Sequence, residues 1–475
     1  MSIIGRKSEQ QLFEDCLDSD QAEFVVVYGR RRVGKTYLVK EFFNTEFSFF
    51  ATGVEEVNMK EQLEFFNDSL IEYGSATKRA PESWREAFRR LRDVLSQTDV
   101  YREPLSHKRI VFLDELPWMD TPRSGFKAAL EHFWNSWGSS QKDLLLIVCG
   151  SATSWIIRNV LGDHGWLYNR LTRQIHLYPF SLYECETFLT SKGINMSRRD
   201  IAECYMVFGG IPYYLNLLNR RYSLAQNIDT LLFQSGGQLY YEYERLFKSL
   251  FRNPKKHMAI IEALTNRRSG RTRAELIADT KIADGGLFSK ALEELEQCGF
   301  VRAYKNYTKN TNGEYYQLID PFVLFYLNFL VKKEYSSWTK YYGTPGYYAW
   351  RGNSYEILCL NHLPQIKAAL GISGVDSTEY SWRSSGNTRG AQIDLLIDRM
   401  DNVIDVCEMK FSSEPFIIDA DCEENLIHKL ETFRRETKNT KTLHLTLISA
   451  SGLERNNHSN VVVNVIPGEE LFRQV

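Results

Sequence analysis

The residues best suited to chemistry in this chain are Gly29-Arg30-Arg31-Arg32-Val33-Gly34-Lys35-Thr36, because two glycines followed by Lys and Thr form a cradle for phosphate. Glycines let backbone N–H groups curl around phosphate oxygens, and a helix amino terminus adds its positive end. In that setting Lys35 reaches the β- and γ-phosphates of a nucleoside triphosphate and Thr36 ligates magnesium. A second candidate is Asp114-Glu115, two carboxylates closing the apolar run Ile110-Val111-Phe112-Leu113. Asp114 can hold the magnesium through water, and Glu115 can polarise the water that attacks the γ-phosphate. Paired acids also simply cap strands before turns such as Leu116-Pro117. A third candidate, Ser151 after Gly150, either senses the γ-phosphate or caps a helix beginning at Ala152. ATP and Mg2+ are the cofactors this set calls for.

Positioning these groups takes an α/β framework. FVVVY at 24–28, RIVFL at 109–113 and DLLLIVC at 143–149 alternate with longer amphipathic stretches, as in a parallel sheet flanked by helices. The Gly-rich loop follows the first strand and opens a helix containing Leu38, Val39, Phe42 and Phe43, the context that a phosphate cradle needs. Between the first two runs, Leu63, Phe66, Leu70 and then Trp84, Phe88, Leu91, Leu95 recur at helical spacing and read as core faces. Residues 181–250 read as short helices forming a lid, broken at Lys192-Gly193 and Gly209-Gly210. Residues 251–342 read as helices, a stop at Gly299 and a hairpin of 300–304 against 315–319 across Asn312-Gly313, which suggests a winged helix-turn-helix. From about Gly343 a helix precedes strands at 392–397, 403–409, 443–449 and 460–465. The expected divisions are 1–180, 181–250, 251–342 and 343–475.

Taken together, Ile3-Ile4-Gly5-Arg6 with Glu9, the GRRRVGKT loop, LDE at 113–115, Leu167-Tyr168-Asn169-Arg170 and Gly209-Gly210-Ile211-Pro212-Tyr213-Tyr214-Leu215 resemble the archaeal-type P-loop ATPases of the AAA+/STAND branch. The resemblance implies ATPase activity and a lid over the nucleotide headed by Pro212. It also implies that Gly5 and Arg6 lie near the adenine. Arg170 or Arg173 would be the arginine finger, acting between self-associated ATPase domains; a surface pair facing solvent is the plainer reading.

Charge bears on the expected winged helix. Residues 251–310 hold twelve Lys/Arg against seven Asp/Glu, a local excess that favours DNA. The helix expected at 287–297 carries Glu293, Glu294 and Glu296, which oppose phosphates unless turned away, and only Ser289 and Lys290 suit a groove. DNA contact and an internal or partner-binding role both stay open.

The far end holds a second constellation. Asp394 lies on the strand expected at 392–397, Glu408 and Lys410 share a face of the next strand, and Glu356 sits on a helix expected at 353–362. Two carboxylates to hold magnesium and a lysine to position the attacking water are what a phosphodiesterase needs, with Asp394 and Glu408 as metal ligands. Glu-x-Lys is equally a cross-face salt pair of exposed strands. Gly390-Ala391-Gln392-Ile393-Asp394-Leu395 through Cys407-Glu408-Met409-Lys410-Phe411-Ser412 resembles the PD-(D/E)xK nuclease-like domain that ends many archaeal-type ATPases. That resemblance covers about 345–475 and implies a mixed α/β fold.

Composition limits the classes. The chain has 475 residues, 43% of them hydrophobic, which excludes a disordered protein, and 58 basic against 60 acidic residues exclude a whole-chain polycation. Eight cysteines form no CxxC pair, which fits a reducing cytoplasm. The longest apolar run, 322–331, is too short to span a bilayer, so no membrane partner is expected. Two functions remain: an ATP-driven nucleic-acid enzyme whose end cleaves phosphodiesters, or an ATP-dependent switch whose terminal parts bind partners without cutting.

Overall fold

In the computed structural model, which describes residues 3–162, 170–251, 253–265, 270–307, 314–332, 334–384 and 390–475, the β-branched run of the first strand is flanked on both sides. Strands β1 (Glu23–Tyr28), β2 (Phe49–Thr52), β3 (Arg109–Asp114), β4 (Leu144–Gly150) and β5 (Arg173–His176) form one parallel sheet in the order β2-β3-β4-β1-β5. A sheet covered on both faces favours near-continuous apolar strands, and β3 and β4 are buried throughout. The helices of this part are α1 (Lys7–Asp18), α2 (Lys35–Phe42), α3 (Met59–Glu72), α4 (Trp84–Leu95), α5 (Leu116–Met119), α6 (Phe126–Ser136) and α7 (Thr153–Ile156).

The two amphipathic stretches between β2 and β3 are α3 and α4, and their stripes are core. Leu63, Phe66, Leu70, Trp84, Phe88, Leu91 and Leu95 are all buried. Asn58 starts α3 by accepting from the Lys60 and Glu61 N–H groups and is answered by Glu61 in a capping box, and Ser83 starts α4 by accepting from the Glu86 N–H. Trp84 meets Phe126 edge-on at 4.8 Å, and Phe24 meets Trp134 at the same distance, so α4 and α6 share one aromatic core with β1.

The chain divides into two units, Met1–Tyr178 and Pro179–Val475. The second begins with α8 (Leu182–Ser191), α9 (Arg198–Phe208), α10 (Pro212–Asn216), α11 (Leu224–Ile228) and α12 (Glu242–Leu250). Gly193 and Gly209 both adopt positive φ at the ends of α8 and α9, as expected from the breakers there. Next come α13 (Lys255–Thr265), β6 (Arg271–Thr272), α14 (Arg273–Thr280), α15 (Gly286–Gln297) and the antiparallel strands β7 (Val301–Lys305) and β8 (Glu314–Leu318), with sheet order β6-β8-β7. The turn expected at Asn312-Gly313 lies outside the described residues. The apolar run 322–331 is α16 (Pro321–Phe325) and a π-helical turn, Tyr326–Leu330, almost wholly buried. No helix among the described residues is long and apolar enough to cross a membrane.

The last sheet contains β9 (Ser377–Arg383), β10 (Gln392–Arg399), β11 (Val403–Lys410), β13 (Thr442–Ser449) and β15 (Asn464–Pro467), in the order β15-β13-β11-β10-β9; the short β12 (Phe416–Ile417) and β14 (Leu453–Glu454) pair separately. Helices α17 (Pro345–Leu360), α18 (Leu363–Ala369) and α19 (Ala420–Thr437) complete it. The strand expected at 460–465 begins later, at Asn464, because Asn456 and Ser459 form a capping box that bends Asn457–Val461 into a 3-10 helix. The helix expected at 353–362 begins earlier, at Pro345, with Thr344 as its cap.

Strand β7 does not end freely. Beyond Lys305, Asn306 bridges Ser381 on the outer strand β9, and the Tyr307 N–H donates to Ser381 O at 3.0 Å. The Tyr307 ring stands against Tyr380 and Phe433, each at 5.2 Å, and its hydroxyl accepts from Asn439 Nδ2 at 2.6 Å. The hairpin is thus pinned into the core of the terminal sheet.

Candidate functional site

The loop after β1 is shaped by backbone that only glycine tolerates at one point. Gly29 has φ 144°, and a Cβ there would lie 2.2 Å from Leu177 O. Arg32 and Gly34 also take positive φ, at 73° and 93°. Helix α2 then opens at Lys35 with no side-chain cap, which leaves its first N–H groups available to phosphate.

Within this loop Lys35 is buried, and its ammonium donates to Gly29 O and Arg30 O, both at 2.9 Å. Burial holds the Lys35 pKa below the ordinary lysine range, against the attraction of Cys149, Glu115 and Asp114. Thr36 Oγ1 donates to Asp114 Oδ2 at 2.8 Å, and the Glu115 N–H donates to Asp114 Oδ1 at 2.9 Å. Burial first, and Glu115 second, push the Asp114 carboxyl above the usual range. Glu115 adopts left-handed backbone at φ 47°, which turns it out of β3. There its carboxylate accepts the Ser151 hydroxyl at 2.6 Å and the Ser151 N–H at 3.2 Å. Ser151 is therefore no helix cap: α7 begins at Thr153 behind Ala152.

Arg30 is buried, Val33 is buried, and Arg31 reaches Glu55 at 4.0 Å. Gly5 has φ 66° and Arg6 φ 57°; the Arg6 guanidinium donates to Tyr178 O at 2.7 Å and Val33 O at 3.4 Å, tying the chain start to the phosphate loop. His176, stacked on Tyr28 at 4.5 Å, is pushed down to about 4 by burial and by Lys35.

Arg170 and Arg173 both make contacts within this unit. Arg170 pairs with Glu131 at 2.9 Å and donates to Asn135 at 2.8 Å, both on α6. Arg173 opens β5 opposite Val25, three residues short of the strand ends that carry the phosphate loop, and donates to Thr172 O. Leu167, Tyr168 and Asn169 lie outside the described residues. Pro212 occupies the first turn of α10 in the second unit, where its missing N–H costs no bond.

In the second unit Glu408 and Lys410 do meet, at 2.8 Å. The other Glu408 oxygen is held by Lys429 of α19 at 2.7 Å, a partner that no motif announces. Burial alone would raise Glu408, but Lys429 and Lys410 outweigh it and hold its carboxyl below the usual range. Asp394 is not part of this cluster. A β-bulge between Ile393 and Leu396 breaks the strand's alternation. Asp394 lines a different recess with Arg302, Gln317 and Ser381. Glu356 of α17 helps Glu408 to hold the Lys410 pKa above the ordinary lysine range. Among the described residues no group of three or more His, Cys, Asp or Glu could hold a metal ion. Of the acids of α15, only Glu294 is partly buried, where it meets His257 at 2.8 Å; Glu293 and Glu296 are exposed, and Glu296 accepts from the Ala303 N–H at 3.4 Å.

Residues 4–218 match the family described as an ATPase domain predominantly from Archaea. An uncharacterised protein of Methanocaldococcus jannaschii is 26% identical over 332 residues, 69% of each chain. An uncharacterised ATP-binding protein of the same organism is 42% identical over 40 residues, 8% of this chain and 68% of the other. Among solved structures, the Walker-type ATPase of Pyrococcus abyssi has a TM-score of 0.49 at 20% identity, over 69% of this chain and 96% of that one.

Proposed function

We propose, on the premise that residues 4–218 are an archaeal-type ATPase domain, that this protein binds ATP on the loop 29–36 and hydrolyses it with Glu115 as the group that polarises water. The observation that carries the reading is the continuous network from Lys35 and Thr36 through Asp114 to Glu115 and Ser151. Each member has a stated task. Lys35, released from Gly29 O and Arg30 O, offers its donors to the β- and γ-phosphates, and the uncapped start of α2 receives the remaining phosphate charge. Glu115, held at both oxygens by Ser151, orients water for in-line attack.

Thr36 and Asp114 fit a magnesium ion: a hydroxyl and a carboxylate, both hard oxygen donors, already lie 2.8 Å apart. When bound, the ion neutralises charge on the β- and γ-oxygens. Gly5 and Arg6 are read as bordering the nucleotide, because Arg6 is bonded to the loop at Val33 O.

The helices α13 to α15 with the β7–β8 hairpin support a winged helix-turn-helix reading, and the terminal sheet supports a PD-(D/E)xK-like one. The residues there do not fit a metal-dependent nuclease, since both Glu408 oxygens are engaged by ammonium groups and Asp394 stands apart. We therefore favour an ATP-dependent switch whose terminal part binds a partner, DNA among the choices, without cutting. Phosphate release and equilibrium ATP binding in Mg2+, for wild type and Lys35→Ala, test the first claim; equal turnover by the two proteins would defeat it. Incubation of DNA and RNA with the protein, ATP and Mg2+ or Mn2+ tests the second, and cleavage lost in Lys410→Ala would restore the nuclease reading.

A further inference from the structure

Helix α4 carries a second feature that the ATP site does not use. Arg85, Arg89 and Arg92 recur four and three residues apart, so they form one stripe along the helix, and all three are exposed. Neither Arg85 nor Arg89 has an ion pair or hydrogen bond among the described residues, while Arg92 meets only the adjacent Asp93, at 3.8 Å. The neighbouring acids are spoken for: Glu86 is bound by Arg90 and the Glu82 N–H, and Glu131 by Arg170.

The stripe borders a groove of about 390 Å³ between α4 and α6. Its floor is aromatic, made by buried Phe88 and Phe133 and the half-buried Trp137, whose ring lies 5.3 Å from Phe133. His132 stands on the opposite bank. Guanidinium forks pair with phosphate oxygens two at a time, and ring faces accept bases of any sequence. The rise between successive arginines, about 4.5–6 Å along the helix axis, is of the order of the phosphate spacing of an extended strand. An acidic polypeptide would satisfy the charges but leave the half-buried Trp137 ring unused.

We propose that this groove binds single-stranded nucleic acid, with Arg85, Arg89 and Arg92 on successive phosphates and Trp137 against a base. The site belongs to the first unit and does not depend on how ATP is turned over.

Fluorescence anisotropy of the full chain with a labelled oligothymidine of about twenty nucleotides tests it, with a blunt duplex and polyglutamate as competitors. The Arg85→Ala/Arg89→Ala/Arg92→Ala protein should bind at least about tenfold more weakly, with a salt dependence shallower by about 2 in the slope of log K against log salt. Trp137→Ala should weaken binding with the slope unchanged, and Trp137→Phe should restore most of it. Because the arginines are exposed, phosphate release by the triple variant should equal wild type, and Arg89→Glu alone should reproduce the loss in a protein changed at one position. Absence of binding by wild type, unchanged binding by the arginine variants, or stronger competition by polyglutamate or duplex than by unlabelled oligothymidine would each overturn the proposal.

Discussion

Ser151 gives its hydroxyl proton to Glu115 Oε1 at 2.6 Å, so a residue at the end of β4 holds the carboxylate that ends β3. Two adjacent strands thereby aim one side chain. Glu115 makes this contact from left-handed backbone at φ 47°.

Breaking this anchor should slow turnover while leaving ATP binding intact. Ser151→Ala is expected to lower phosphate release by about tenfold, and Glu115→Gln by about 10²–10³-fold, with ATP affinity within a factor of about two in both. Single-turnover hydrolysis alongside equilibrium binding separates the two effects. A matching loss of affinity would place Ser151 on the nucleotide instead.

The Thr36–Asp114 pair should make nucleotide affinity metal-dependent. ATP binding measured in Mg2+ and then in EDTA should differ by about tenfold or more in wild type, and this difference should vanish in Thr36→Ala. Affinity in EDTA should be alike in the two proteins.

The two glycines of the loop should respond differently to the same change. Gly34→Ala meets no atom within 4 Å and bears only the φ of 93°, so a loss of about 1 kcal/mol is expected. Gly29→Ala drives a methyl group to 2.2 Å from Leu177 O, a backbone atom that cannot swing aside. It should lose about 3 kcal/mol or more in denaturant unfolding.

His362 gives the second unit a pH dependence. Its Nδ1 faces Leu358 O at 2.8 Å and its Nε2 accepts the Leu182 N–H at 2.9 Å, an arrangement that only the neutral ring satisfies. Burial pushes it down to about 4 from 6.5, so the unfolded chain takes up a proton that the folded one refuses as pH falls from about 6.5 to about 4. The contribution is complete above pH 6.5 and lost toward pH 4, about 2 kcal/mol of it between pH 7 and pH 5. His362→Gln, compared with wild type by urea unfolding at those two pH values, should show a smaller drop.

The arrangement of the loop 29–36 was legible because its motif is local: strand, loop and helix are contiguous. The carboxylates Asp114 and Glu115 were legible for the same reason. What holds Glu115 was not, because Ser151 is equally suited to capping, and only the register of β3 beside β4 decides between them. In the second unit, strand alternation put Asp394 beside Glu408, and a bulge of one residue undid it; bulges leave no mark in the pattern of apolar residues. Lys429 was invisible because a lysine on an amphipathic helix is ordinary until a neighbouring strand presents an acid to it.

The stitch made by Asn306 and Tyr307 bears on inheritance. A gene rearrangement that joined a foreign terminal sheet at about residue 343 would strand Tyr307 without the rings of Tyr380 and Phe433, and would bare the outer edge of β9 to other chains. The hairpin and the sheet are therefore expected to descend together, and substitutions at 306–307 to be matched by changes at 380–381 and 433.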